Sequence, residues 1–396
     1  MLTLDKVFNA QSVLKKIIRE TPLVRAYGIA PDCELYLKPE NLQITGSFKV
    51  RGSAYKIAML SDEEKQKGVI ACSAGNHAQG VALAASKNGI SSLICLPDTA
   101  PISKVEATKG FGAQVCLVPG CYDDAYEKAL SLKEQEGYTF VHPFDDENVI
   151  AGQGTIALEI LNDLDHIDAI VVPVGGGGLI SGIAYTAKQI RPSVKIYGVQ
   201  MAGAASMYHS VKNCQIECLD SVHTIADGIA VKQPGENTFR YVNDYVDDIA
   251  LVTDDEVSSA ILALIEKQKM IAEGAGAAAV AAVMFDKFAL KGKRVVSIVS
   301  GGNIDVTSLS RVIERGLFQS GRSSSLLIEL FDKPGQLKDI SRIIADCGAN
   351  VTGVHYEKGN TESVNGCFLR IEMETRDYAH VRLIMDSLRK EGFKII

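Results

Sequence analysis

Short, continuous apolar runs alternate with helix-like segments along most of this chain, and no other feature limits its fold as tightly. "GVIACS" (68–73) precedes "HAQGVALAASKNG" (77–89), "SLICLP" (92–97) precedes "ISKVEATKGFG" (102–112), and "AQVCLVP" (113–119) precedes "DDAYEKALSLKEQEG" (123–137). Farther on, "DAIVVPV" (168–174) precedes "LISGIAYTAKQI" (179–190), while "KIYGVQ" (195–200) and "RVVSIVS" (294–300) read as further buried strands. Strands that are apolar on both faces belong in a parallel sheet covered by helices; a strand with one wet face alternates instead. The pattern comes in two batches, before about residue 120 and after about residue 165, which predicts two α/β lobes with a cleft between them.

The order changes after "QSGRSSS" (319–325), a small polar stretch that reads as a linker. "LLIELF" is a strand, "DKPG" a turn and "QLKDISRIIADCG" a helix closed by Gly348. "NVTGVHYE" and "GCFLRIEME" follow as strands, "YAHVRLIMDSLRKEG" as a helix and "FKII" as a last strand. The result is βαββαβ, a ferredoxin-like unit of about 70 residues.

The totals exclude several classes of function. A length of 396 residues gives two to three domains, and 46% hydrophobic residues supply a core without disulfides. The net charge of −7, with no basic block, argues against a nucleic-acid partner. The nine cysteines stand singly, which fits free thiols in a reducing compartment. "MLTLDKVFNAQSVLKK" is neither a signal sequence nor a membrane span, so a cytoplasmic protein with no membrane partner is expected.

Four segments carry chemistry. "ITGSFKVRGS" (44–53) places Lys49 after Phe48 in a glycine-punctuated stretch of low charge. A desolvated lysine with a lowered pKa is a nucleophile for carbonyls, whereas most lysines are solvated and inert. "SAGNHAQG" (73–80) lies between a strand and a helix and gathers Ser73, Asn76, His77 and Gln79 where helix N–H groups favour an anion; a capped helix with a satisfied histidine is the equal alternative. "VGGGGLISG" (174–182) sets Gly175, Gly176, Gly177, Gly178 and Leu179 between a strand and a helix. Four consecutive glycines are costly in chain entropy, and a backbone nest for a phosphate explains them better than a turn. No GK[ST] follows, so this is not a P-loop. "SIVSGGN" (297–303) ends another strand with Ser300, which taken singly reads as a turn serine. "GQGTIA" (152–157) fits a dinucleotide fingerprint loosely, but no strand precedes it. A nucleophilic amine, one phosphate nest and a hydroxyl partner together ask for pyridoxal 5′-phosphate.

With these motifs in this order, "GSFKVRG", "SAGNHAQG", "GGGGL" and "SGGN", residues 5–320 resemble the fold-type II, pyridoxal-phosphate family of threonine/serine dehydratases. The resemblance implies a two-lobed, tryptophan synthase β-like catalytic domain over 1–320, with a smaller lobe at about 50–145 inserted in a larger one. It implies that Lys49 binds the cofactor aldehyde and then acts as base on the substrate Cα. Phe48 would pack on the ring, Asn76 would meet its phenolic oxygen, Gly175–Gly178 and Leu179 would hold the phosphate, and Ser300 would meet the pyridine nitrogen. Ser73 and the backbone of Asn76 and His77 would take the substrate carboxylate. The implied reaction is loss of water and ammonia from L-threonine, giving 2-oxobutanoate, and from L-serine, giving pyruvate.

Two departures separate this chain from the serine racemases that it also resembles. Ala74 stands where they carry a second serine, and Gln200 stands where they carry a metal-binding glutamate, so neither racemisation nor a metal site is expected. Glu273 reads either as a cleft residue or as a helix-surface glutamate, and Arg51 as a solvated charge or a contact between lobes. Residues 326–396, after a linker at 321–325, resemble an ACT domain, which implies allosteric control and a homo-oligomer, a dimer or tetramer. Its Pro334–Gly335 turn and Asn350 would meet an amino-acid effector; a purely dimerising module is the alternative. A non-catalytic, amino-acid-sensing relative is the competing reading of the whole chain, and intact Lys49, Asn76 and Ser300 argue against it.

Overall fold

A computed structural model describes residues 1–357 and 366–396. It divides into two compact units, Met1–Leu309 and Ser310–Ile396. In chain order the strands of the first unit are β1 (Val24–Arg25), β2 (Glu34–Pro39), β3 (Val69–Cys72), β4 (Ser92–Pro97), β5 (Gln114–Val118), β6 (Thr139–Phe140), β7 (Ala169–Pro173), β8 (Lys195–Met201), β9 (Asp248–Val252) and β10 (Arg294–Val299). They form a six-stranded sheet, β1-β2-β10-β7-β8-β9, and a four-stranded sheet, β5-β4-β3-β6. Every pairing is parallel except β1 with β2. Of the apolar runs, those at β3 and β7 are buried throughout, whereas β5, at the edge of its sheet, has no buried residue. β2 carries no such run, because "ELYLKP" holds a buried lysine, Lys38.

The cleft forms because strands from both sheets end toward it. Ser73 follows β3, the glycine run follows β7, and Ser300 follows β10. The loop before Lys49 is stitched to the loop after β10: Phe48 N donates to Ser300 O at 3.0 Å, Gly302 N donates to Gly46 O at 2.9 Å, and Ser47 bridges Gly301. Lys49 then opens the helix Lys49–Ala58, which packs between the helices Asn76–Lys87 and Glu147–Asp163. "GQGTIA" lies inside the last of these, which Asp146 caps by accepting from Asn148 N and Val149 N. Gly152 serves packing there: a Cβ would stand 2.6 Å from Arg51 O and 2.7 Å from Gly52 Cα.

Arg51 is not a solvated charge: it is 0% exposed, and of the two readings the contact with residues outside the 50–145 segment is the one its partners support. Its guanidinium reaches Glu40 at 2.7 and 2.8 Å and Glu159 at 2.5 and 2.9 Å, and Lys38 Nζ reaches Glu159 at 2.6 Å. Burial alone would lower the Arg51 pKa, but Glu40 and Glu159 outweigh it and raise it. Two cations face two carboxylates, so the cluster is neutral as a whole.

The second unit has the strands β11 (Ser323–Phe331), β12 (Asn350–Glu357), β13 (Gly366–Glu374) and β14 (Lys394–Ile395) in the order β12-β13-β11-β14, all antiparallel. Helices Gln336–Asp346 and Tyr378–Lys390 join its core through Ile340, Ile344, Ile384 and Leu388. The stretch 321–325 is not a free linker. Ser323–Ser325 already belong to β11, paired with Glu374–Glu372, because ladder hydrogen bonds need only backbone.

Removing one member of a buried ionic cluster strands the others. Arg51→Met is expected to lower unfolding stability by about 3–5 kcal/mol, read from the urea midpoint of the full chain.

Candidate active site

A cavity of about 1010 Å³ lies between the lobes and brings together Phe48, Lys49, Ser73, Asn76, the glycines 175–178, Leu179 and Ser300. The Lys49 side chain is half-buried; its Nζ donates to Pro143 O at 2.8 Å and lies 5.4 Å from the Phe48 ring centroid. Burial lowers its pKa from 10.5 to about 8, with Glu273 opposing the shift. About a tenth of the amine is therefore unprotonated at pH 7, far more than for a solvated lysine.

Two helices point their N-termini into this cavity. Asn76 opens one, and the N–H groups of Asn76, His77 and Ala78 fall in its first turn, outside the i−4 ladder. Gly178 opens the other, Gly178–Ile190, with Gly177 at φ +96° before it. Gly176 lies face to face with Phe144: a Cβ there would come within 2.5 Å of the ring. Each helix start is a place for an anion, and the amine stands in the same cavity.

The side chains divide into those that face the cavity and those spent on structure. Ser73 Oγ accepts from Gly75 N at 3.1 Å, which leaves its proton free to donate. Ser300 is 2% exposed and donates to Ala275 O at 3.2 Å. The His77 side chain takes the satisfied-histidine role. Its Nε2 donates to Val141 O at 2.8 Å and its Nδ1 lies 3.5 Å from Ser53 Oγ. Burial, helped by Lys49, lowers its pKa to about 3, so the ring is neutral and only its backbone N–H is left for a ligand.

Several lining residues had no clear signal in the sequence. Glu273 belongs to the cleft, not to a helix surface: it is 5% exposed and accepts from Asn76 Nδ2 at 2.6 Å. Burial raises its pKa to about 7, and Asp227 adds to the rise. Lys104 and Asp227 pair at 2.6 Å across the lobes and also line the cavity. His142 follows a two-residue strand too short to pattern, and its Nδ1 accepts from Asp145 N at 2.7 Å. Gln200 is buried beneath the sheet end, where its Oε1 accepts from Tyr208 N at 2.7 Å. Among the described residues no group of three His, Cys, Asp or Glu could hold a metal ion.

The tail residues do not converge within one chain. Gly335, at φ +98°, caps the helix that follows the Phe331 end of β11. Asn350 pairs through Glu374 with the Ser323 end of that strand and donates to Glu374 at 3.1 Å. Pro334–Gly335 and Asn350 therefore lie at opposite ends of the sheet.

The family described as pyridoxal-phosphate dependent enzyme matches residues 14–301, and the ACT domain family matches residues 321–391. The chain belongs to the pyridoxal-phosphate dependent enzymes. It is 47% identical to an L-threonine ammonia-lyase of Thermotoga maritima, over 100% of this chain and 99% of that protein. Among solved structures it resembles the processed form of threonine deaminase isoform 2 from Solanum lycopersicum, with a TM-score of 0.77 and 39% identity over 80% of this chain and 88% of that one. A maize serine racemase gives a TM-score of 0.75 at 35% identity, over 80% and 98%.

The residues present fit this family's cofactor. An aldehyde needs the amine of Lys49, a phosphate needs a helix start whose glycines admit close approach, and a planar ring needs flat apolar walls such as Phe48. The second helix start remains for the carboxylate of an amino acid.

In cofactor-free protein, acylation of Lys49 is expected to rise through about pH 8 instead of 10.5. Between those values the unfolded chain holds a proton that the folded chain lacks, so the cost of burying Lys49 is full below about pH 8 and fades toward pH 10.5. Peptide mapping of acetic-anhydride labelling against pH checks this.

Proposed function

We propose that this enzyme is an L-threonine ammonia-lyase that converts L-threonine to 2-oxobutanoate and ammonia and also accepts L-serine. The observation that carries the reading is a half-buried lysine amine, with its pKa near 8, in one cavity with two helix N-termini. That set of groups suits an aldehyde, a phosphate and an amino-acid carboxylate at once. The names of the relatives point to the same reaction.

When bound, pyridoxal phosphate supplies an electron sink for the charge that develops at the substrate Cα. Lys49 would hold the cofactor's aldehyde carbon and, once freed, would serve as the general base for the substrate Cα proton. Gly175–Gly178 and Leu179 receive the phosphate at the start of the helix Gly178–Ile190. Ser300 meets the pyridine nitrogen, Asn76 the phenolic oxygen, and Phe48 the ring face. Ser73, with the backbone N–H groups of Asn76 and His77, orients the substrate carboxylate and fixes which bond at Cα lies near Lys49. His77 stays neutral and adds no charge beside that carboxylate. The enamine released after loss of the β-hydroxyl hydrolyses to the 2-oxo acid and ammonia. Racemisation would need a second proton donor, and the cavity-lining Ala74 offers none.

We assign catalysis to residues 1–320, with the smaller lobe at about 50–145, and regulation to the ACT domain, which begins with β11 and not at residue 326. Since Pro334–Gly335 and Asn350 lie far apart in one chain, an effector that uses both would bind between copies, which favours a homo-oligomer. No described helix is long and apolar enough to cross a membrane. All nine cysteines are free, in keeping with a cytoplasmic setting.

Purified protein is expected to absorb in the near-visible range, to become fixed at Lys49 by borohydride, and to form 2-oxobutanoate from threonine. Lys49→Ala should lose turnover by about a thousandfold or more, and full turnover in that variant would sink the proposal. Turnover of threonine and serine should change about fivefold or more with at least one of isoleucine, valine or AMP. Steady-state rates unmoved by all three would restrict the tail to assembly.

A further inference from the structure

The Asn76 carboxamide is held at both ends. Its Nδ2 donates to Glu273 Oε1 at 2.6 Å, and its Oδ1 accepts from Asn303 Nδ2 at 2.7 Å. Asn303 Nδ2 is itself placed by Thr45 O at 2.7 Å. Asn76 sits on the helix Asn76–Lys87 of one lobe; Glu273 and Asn303 come from the other, before the helix Gly274–Met284 and after β10. A primary amide has donors at one end and an acceptor at the other. With the Asn303 N–H, itself fixed on Thr45 O, facing its oxygen, the amide cannot turn over without setting donor against donor there. One N–H of Nδ2 stays uncommitted among the described residues, on a side chain that lines the cavity.

Two motif glycines make room for this arrangement. A Cβ at Gly301 would stand 2.2 Å from Glu273 Oε1 and 3.2 Å from Asn76 Nδ2, and a Cβ at Gly46 would stand 2.3 Å from Asn303 Oδ1. The first glycine of "SGGN" and the glycine of "TGSFK" are thus open positions that the carboxyl and the amide fill. Neither belongs to the phosphate nest, and neither touches Lys49 through a side chain.

We propose that Glu273 and Asn303 are positioning residues that fix the Asn76 carboxamide so that its N–H, not its oxygen, is presented to the cofactor's phenolic oxygen. The proposal rests on the reading above, in which Asn76 meets that oxygen. Glu273 acts through its acceptor oxygen, so a glutamine in its place can serve while an alanine cannot. Asn303 acts as the donor that holds the other end.

The test is a double-mutant cycle on the full-length protein, read as the equilibrium Kd for pyridoxal phosphate, the position and shape of its near-visible band, and the thermal midpoint of the cofactor-free form. Glu273→Ala and Asn303→Ala are each expected to weaken cofactor binding about tenfold or more and to alter the band, while Glu273→Gln stays within about twofold of the parent. In an Asn76→Ala background, adding Glu273→Ala should have almost no further effect on Kd, because the group it acts through is gone. Additive effects in that cycle, or a parental band and Kd in both single alanine variants, would overturn the proposal. So would a loss of Kd that merely follows a lowered thermal midpoint with the band unchanged. If Glu273→Ala does not fold, Asn303→Ala on the Asn76→Ala background closes the same cycle from the other end. Parent protein that takes up no cofactor and is not fixed at Lys49 would overturn the functional reading itself, which the variants alone do not address.

Discussion

The buried cluster of Arg51, Glu40, Glu159 and Lys38 is the constraint on which the placement of Lys49 depends. Arg51 lies two residues beyond Lys49, on the same helix. Its planar fork is shared between the end of β2 and the helix Glu147–Asp163. A single hydrogen bond would let that helix roll or slide; two carboxylates gripping one guanidinium from different elements do not. The cluster's neutrality matters as much as its geometry. An unpaired guanidinium at this depth would cost several kcal/mol. Matched charges let the helix be anchored electrostatically with little net field added at its reactive end.

Close backbone approach then completes what the ion cluster begins. Gly152 against Gly52 lets the two helices touch at their backbones, and Gly178 against the Phe144 backbone brings in the start of the helix Gly178–Ile190 as closely. Glycine thus serves two purposes in this chain. In the run after β7 it bares N–H groups for an anion, while at Gly46, Gly152 and Gly301 it removes a Cβ so that a neighbouring group can occupy the space. Sequence inspection sees only the residue type, so "GQGTIA" could imitate a nucleotide fingerprint when its first glycine is a packing device.

What the sequence made legible follows the same division. Strands β3, β4, β5, β7, β8 and β10 could be read because each is apolar on both faces, and the tail's order of elements because its helices are amphipathic. β2 could not, since its buried residues include Lys38, which turns inward only because Glu159 waits there. Lys49, Asn76, the glycine run and Ser300 stood out as motifs, and all face one cavity. Arg51 and Glu273 were visible as charges but not as buried ones, because their partners are distant in sequence: Glu159 is 108 positions from Arg51, and Asn76 is 197 from Glu273. Asn303 lay inside a quoted motif, yet its function is a contact 227 positions away. Composition and local period cannot report pairings that exist only once the chain is folded.

The two buried ionisable groups of the cavity bear on one another. Desolvation lowers Lys49 to about 8 and raises Glu273 to about 7, and each partly restrains the other's shift. In water an amine and a carboxylate differ by about six units in pKa, a gap of roughly 8 kcal/mol for moving a proton between them. Here burial moves the amine down and the carboxyl up, so most of that gap is closed. A base whose pKa is lowered toward neutrality can take a proton from carbon and later release it without a strongly basic or acidic partner. Burial alone would push both shifts further and leave each group neutral and without a partner. The Asn76 amide against Glu273 and the Pro143 carbonyl against Lys49 keep each group hydrogen-bonded while its charge is in balance.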